Sequence, residues 1–319
     1  MSRSRPVTAF VVWFLLAGCQ ATLPPAENDT PETRLDQIVS ADAMLARIGH
    51  RLSVANVELC PHTTMLAGWS LHAASLYGAE IRAAATGRFG LEGDLPGVVY
   101  AVPDAPAARA GLHPGDLILA VNGRALSPGP ARSEPDADGF FANRAAIEAA
   151  LMQGPATLRI RRGGETIELA LMPERGCGYT FLIDPSPTLG ASTFDDQIQV
   201  TTAMAAYAGN DDNLAVVVSH EFAHAVLQHP AARRGPGGRL PWRTEARERE
   251  ADRLSLYLLT RAGYDPARAP VFWRQMSADF WQVRQPQIDH PSGEGRARAL
   301  DPVAGEIARL RAAGLPILP

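Results

Sequence analysis

The sequence contains no lysine: all 30 of its basic residues are arginine. Arginine bonds phosphate and carboxylate through a planar fork that lysine lacks, but a codon bias running through a whole genome accounts for the absence more simply than a function does. Against 34 acidic residues the arginines leave a formal charge of −4, which gives no reason to expect nucleic acid as a partner. Long apolar runs are missing as well. No stretch of about 20 apolar residues occurs, the length a helix needs to cross a bilayer. Cysteine is scarce, with three in 319 residues. What is present has the balance of a soluble globular chain, 46% hydrophobic and 20% charged. The length suggests roughly two domains.

The first of the three cysteines closes a targeting segment. Arg3 and Arg5 form a short basic start, and Val7 to Leu16 is apolar but too short for a stable span. The run ends on Leu16-Ala17-Gly18-Cys19, which resembles the bacterial lipobox. The resemblance implies that residues 1–19 are a lipoprotein signal peptide and that Cys19 is lipidated as the first mature residue. Several acyl chains would make that attachment durable. Gln20 stands where an aspartate commonly retains such proteins at the inner membrane, so the implied location is the outer membrane, facing the periplasm. Residues 20–33, rich in Pro, Asn, Asp and Thr, read as a tether. Beyond the cytosol, Cys60 and Cys177 meet an oxidising compartment and are expected to be bridged. Whether their Cα atoms approach closely enough is not legible in sequence.

Leu35, Ile38, Val39, Ala43, Leu45, Ile48 and Leu52 recur at mostly helical spacings and predict a helix over about 33–55. It opens an N-terminal helical segment, 34–85, expected to pack on the catalytic part. After Cys60-Pro61, the stretch to Tyr77 carries no assignable pattern.

Residues 86–175 read as a unit of their own. Phe89-Gly90-Leu91 and Gly97 to Val102 suggest two short strands. Ala105 to Gly111 suggests a short helix, Pro114-Gly115-Asp116 a turn, and Leu117 to Val121 a strand leading into Asn122-Gly123. A second helix is expected at Ala145 to Leu151. Alternating strands follow at Thr157 to Arg161 and Thr166 to Leu171, joined at Gly163-Gly164. Ser127 to Gly139 is a Pro- and Asp-rich insertion. The run resembles a PDZ domain of the bacterial, protease-associated kind. Such domains take an extended peptide as an added strand and capture its terminal carboxylate on backbone amides. The resemblance implies that Phe89, Gly90 and Leu91 form the peptide-binding loop. A spacer or a gate over an active site is the other role such a unit could have.

The remainder, 176–319, carries the chemistry. Asp195 to Thr201 looks like a hairpin or an edge strand, where a protease could hold an extended substrate, although a plain core strand fits equally. Then comes His220-Glu221-Phe222-Ala223-His224 inside an apolar run. Positions i and i+4 of a helix share a face, so both imidazoles can address one metal ion. Zinc lowers the pKa of a water it holds to about 7. Glu221, beside the first histidine, can take that water's proton as it attacks a peptide carbonyl. A buried helix with merely hydrogen-bonded histidines is the alternative for this motif alone.

Thr244 to Arg261 predicts a second helix, stopped at Gly263 ahead of Pro266. Glu248 and Asp252 lie on one of its faces, with the small residues Ala251 and Ser255 allowing close approach to the first helix. Two histidines and one carboxylate are a known catalytic zinc set. Asp252 can accept a hydrogen bond from a ligand imidazole. Glu250, which also precedes Ala-Asp, is the rival to Glu248; the shared face favours Glu248.

His-Glu-x-x-His followed by Glu-x-x-x-Asp, over about Thr180 to Leu310, resembles the zinc metallopeptidase family that includes the CAAX prenyl proteases, HtpX and BepA. The resemblance implies His220, His224 and Glu248 as ligands of one Zn²⁺ per chain. His290-Pro291-Ser292 and then Arg296 match the family's later His-Pro segment and arginine. They imply His290 as a residue that shuts the site or assists catalysis, and Arg296 as a support. His50, His62, His72, His113 and His229 read as structural or surface residues. The expected fold is α+β: a mainly helical, zincin-like metallopeptidase domain with a small β-sheet, plus an inserted PDZ domain, β-barrel-like with two helices. The expected function is a membrane-anchored zinc endopeptidase acting on misfolded or misassembled envelope proteins. A chaperone-like outer-membrane assembly factor, binding clients with little or no cleavage, is the alternative.

Overall fold

A 25-residue helix, α1 (Pro31–Ala55), begins where Thr30 accepts a hydrogen bond from the Thr33 amide and proline occupies the first helical position. Its stripe of Leu35, Ile38, Leu45, Ile48 and Leu52 is buried throughout. The computed structural model describes residues 21–23, 29–229, 241–286 and 291–319. Cys19 and His290 lie outside the described residues.

After α1 come β1 (Thr63–Leu66) and β2 (Trp69–His72), both drawn from the stretch whose sequence shows no period. Then follow α2 (Ala79–Phe89), β3 (Gly97–Ala101), α3 (Pro106–Arg109), β4 (Leu117–Val121), β5 (Arg124–Ala125) and α4 (Asp138–Leu151). β6 (Ala156–Arg162), β7 (Glu165–Leu171) and β8 (Glu174–Cys177) complete this part. β2, β3, β4, β6 and β7 hydrogen-bond in that order, all antiparallel, with β5 added to β4. Val98, Leu117, Ile118, Leu158 and Ile160 pack beneath Ile147 and Leu151 of α4 as this sheet's core.

Phe89 to Leu91 is not a strand: α2 runs to Phe89 and ends on Gly90, whose φ of 62° is the left-handed turn-off that glycine adopts without cost. Phe89 and Leu91 are buried against Leu35, Ile38 and Tyr77. The strand beside β3 is β2 instead, paired through Trp69↔Ala101 and His72↔Gly97.

β1 pairs with β8, so the chain enters and leaves the PDZ-like sheet through a two-stranded neck. Cys60 and Cys177 are bridged across its end, with Cα atoms 5.6 Å apart and 117 positions between them in sequence. A loop of that length costs the unfolded chain considerable entropy to close, ~4.7 kcal/mol for 100 residues in the chain-entropy account. Cys60→Ala/Cys177→Ala is expected to lose about 2–5 kcal/mol of stability in denaturant titration.

The second half contains β9 (Thr180–Asp184), β10 (Ala191–Phe194), β11 (Gln197–Thr201), α5 (Thr202–Ala208) and α6 (Asp211–Val226). α7 (Pro241–Arg261), α8 (Arg268–Asp279), α9 (Trp281–Arg284) and α10 (Gly293–Ala312) follow. α7 starts three residues ahead of Thr244. β11 lies at the centre of its sheet, antiparallel to β10 and parallel to β9. The segment 195–201 is therefore a turn and a core strand, and the exposed edges belong to β10 and β9. α6 starts where Asn210 accepts from the Asn213 amide, with Asp211 and Asp212 in its first turn opposing the helix dipole. It is buried nearly all round, from Leu214 to Ala223, between α1, α7 and β10. No helix among the described residues is long and apolar enough to cross a membrane.

Candidate metal centre

α6 and α7 pack against each other, and the small residues Ala223 and Ala251, one from each helix, are fully buried. Into that seam α6 projects His220 and His224, and α7 projects Glu248. His220 Nε2 lies 3.3 Å from Glu248 Oε2, and His224 Nε2 lies 3.4 Å from Oε1. The two Nε2 atoms are 3.2 Å apart. Bonds of about 2.1 Å to a tetrahedral zinc place neighbouring ligand atoms about 3.4 Å apart; the separations here are of that scale, each imidazole meeting a different carboxylate oxygen, and one ligand atom from each of the three residues lies within 4.8 Å of the others.

The proton positions strengthen that fit. His220 Nδ1 is 3.0 Å from Asp252 Oδ1, so its ring proton belongs on Nδ1 and the Nε2 lone pair faces the seam. An Arg296 Nη2 also lies 2.9 Å from Nδ1. Both nitrogens being donors, Asp252 takes the His220 proton, and Arg296 instead binds Asp252, with Nε 3.1 Å from Oδ2. The guanidinium is stacked over Trp273, 3.5 Å from the ring centroid. Lone pairs converging in a seam where His220 is 3% and Glu248 5% exposed repel unless a cation lies among them. A proton can serve: burial and the Arg296 charge push the His220 imidazole down, but the Asp252 and Glu248 hydrogen bonds outweigh them and raise it to about 9. A divalent ion would satisfy all three side chains at once.

Glu221 sits on the neighbouring face of α6, 9% exposed. The Thr193 hydroxyl on β10 lies 2.8 Å from its Oε2 and 2.7 Å from its carbonyl oxygen, and its single proton serves one of them at a time. Thr193 and Trp273 are residues that sequence reasoning missed, lying 28 residues before Glu221 and on a third helix, with no spacing to mark either. Glu250, the rival acid, points away from the trio toward His229 and is mostly exposed. Asp252 and Arg296 meet at His220, whereas Phe89 and Leu91 are buried in the core beside α1, with Gly90 exposed between them.

A second concave feature lies between β2, α4, α1 and β9, a cavity of about 580 Å³ whose walls include Leu71, Phe140, Phe141, Arg144 and Phe181. β2 is the edge strand of its sheet, and all four of its residues, Trp69 to His72, help line this cavity.

The family model for the PDZ domain matches residues 97–143, from β3 into α4. Among solved structures, the HtrA3 PDZ domain bound to a phage-derived ligand is similar at 23% identity, covering 36% of this chain and 89% of that one, with a TM-score of 0.26. The HtrA-type protease AlgW with a decapeptide is similar at 21% identity over 35% of this chain, with a TM-score of 0.24. This chain covers only 30% of the AlgW chain. Ahead of its candidate metal centre, then, the protein carries a PDZ domain.

Proposed function

We propose that the protein is a zinc-dependent endopeptidase of the bacterial envelope, with a PDZ domain that recognises peptide. The observation that carries this reading is the buried convergence of His220, His224 and Glu248, with Glu221 alongside. Those three residues would hold zinc, which acidifies water and polarises a carbonyl. Glu221 takes the proton of the attacking water and passes it to the leaving amine, while Thr193 holds its carboxylate in place. The free edge of β10 offers backbone groups on which a substrate can lie extended. Asp252 and Arg296 fix the His220 ring, as outer partners of a ligand do.

The lipobox resemblance at Cys19 supports attachment to the outer membrane, and the Cys60–Cys177 bridge supports an oxidising compartment. Misfolded or misassembled envelope proteins are then the substrates within reach. Metal analysis of protein purified without added zinc tests the reading, together with casein cleavage before and after chelation. One zinc per chain and chelator-sensitive cleavage are expected; protein that carries no zinc and cleaves regardless refutes it.

For the PDZ domain, we assign peptide binding to β2 and α4 in preference to Phe89, Gly90 and Leu91, because the Phe89 and Leu91 side chains are buried while β2 is a sheet edge. A peptide with a free, apolar C-terminus would add as a strand to β2 and seat its last side chain against α4. Phe141 is 42% exposed beside the cavity, so Phe141→Ser leaves the core intact. It is expected to weaken peptide binding about tenfold, as loss of part of an aromatic contact does, measured by fluorescence anisotropy. The PDZ match also keeps the assembly-factor reading in play: rescue of an envelope defect by Glu221→Gln protein would favour binding over cleavage.

A further inference from the structure

We propose that His229 is a positioning residue of the metal centre, holding the His224 imidazole from behind, with Glu250 in turn holding His229. The proposal rests on the zinc reading above. It begins with the way α6 ends. After the cap at Leu227, Gln228 turns left-handed at φ 53°. Its amide then bonds back to the Ala225 carbonyl at 3.1 Å, and the His229 amide to the His224 carbonyl at 2.9 Å. These two backward bonds form the tight reversal that usually employs glycine at the left-handed position and an apolar contact between the residues His229 and His224 occupy. Here the left-handed residue is glutamine, which lacks glycine's freedom. The apolar contact is replaced by two imidazoles.

Their ring centroids are 5.1 Å apart and their Nδ1 atoms 3.0 Å apart. With His224 Nε2 directed at Glu248, the His224 proton sits on Nδ1 and is donated to His229 Nδ1. The His229 proton then sits on Nε2, facing Glu250 Oε2 at 3.4 Å. His229 is no fourth ligand, because it meets His224 on the nitrogen turned away from the trio. The two metal histidines are thus held from behind in two ways, His220 by a buried carboxylate and His224 by a second imidazole. Glu250 is 60% exposed, so water can stand in for it and His229 carries the effect.

The test uses the full chain and zinc itself, with affinity read by competition with a chromogenic chelator. His229→Leu restores the apolar contact that such a helix end ordinarily has, so the variant should fold, but it removes the acceptor. Zinc affinity is expected to fall about 10–100-fold, the range seen for lost outer partners, with the melting temperature of the metal-free protein not lowered. His229→Asn places an amide oxygen near the Nδ1 position and should restore affinity to within about tenfold of the parent. His229→Leu protein that binds zinc as tightly as the parent overturns the proposal, as does an asparagine variant no better than the leucine one. A parent chain that takes up no zinc overturns the metal reading, and this proposal with it.

Discussion

Glu221→Gln protein is expected to keep its zinc and lose about 10²–10⁴-fold of its peptide-bond cleavage, the usual worth of a general base. Glutamine matches glutamate in shape and can still meet the Thr193 hydroxyl, which lies 2.8 Å from Oε2. None of the three proposed metal ligands, His220, His224 and Glu248, is changed. What glutamine cannot do is accept a proton from water. Steady-state cleavage of casein, alongside metal analysis of the same preparation, separates the two properties. Cleavage at the parent's rate with zinc present would sink the mechanism, whereas loss of zinc would show that Glu221 holds the site together instead.

The largest effect on stability is expected at Arg296→Met. Asp252 is 3% and Arg296 5% exposed, and they are hydrogen-bonded to each other. Removing one member of a buried ion pair strands the other charge, at about 3–5 kcal/mol, and here the stacking on Trp273 goes as well. The loss should depend on pH. Burial alone would raise the Asp252 carboxyl, but the Arg296 charge and the His220 hydrogen bond outweigh it and hold it down at about 2. A carboxyl lowered in the folded state stabilises the protein above the unfolded value of about 3.9, and that contribution drains away as the pH falls toward 2. In the variant the carboxyl loses its cation, so parent and variant should differ most near neutrality and converge only as the pH approaches 2. Denaturant titration across that range would show it; a difference independent of pH would mean that packing on Trp273, and not charge, is what Arg296 contributes.

Both predictions turn on residues whose legibility in sequence differs. His220, Glu221 and His224 can be read together because a helix repeats every 3.6 residues, so four positions of sequence imply one face. Glu248 and Asp252 are legible as a face of α7 for the same reason, although sequence leaves Glu250 as a competing acid. Thr193, Trp273 and His229 reach the centre from a strand, another helix and a helix end. For Thr193 and Trp273 that approach depends on how α6 is seated, and for His229 on the left-handed turn at Gln228 that ends the helix. The PDZ sheet divides in the same way. β4, α4, β6 and β7 announce themselves by alternation, turn residues and an apolar stripe. β2 is four half-buried residues without alternation, while Phe89 to Leu91, which looks like a strand, is claimed by the helix ahead of it.

The sequence by itself therefore determined the local features: the helix carrying two imidazoles and a glutamate, the PDZ pattern over 97–143, and two cysteines available to pair. Only the tertiary structure decided which acid faces the imidazoles, which strand borders the PDZ cavity, and that residues 117 positions apart meet at Cys60 and Cys177. The reason is physical. Helical and strand periods act over a few residues and are written in their order, whereas the meeting of distant side chains is set by how whole elements bury their apolar faces against one another.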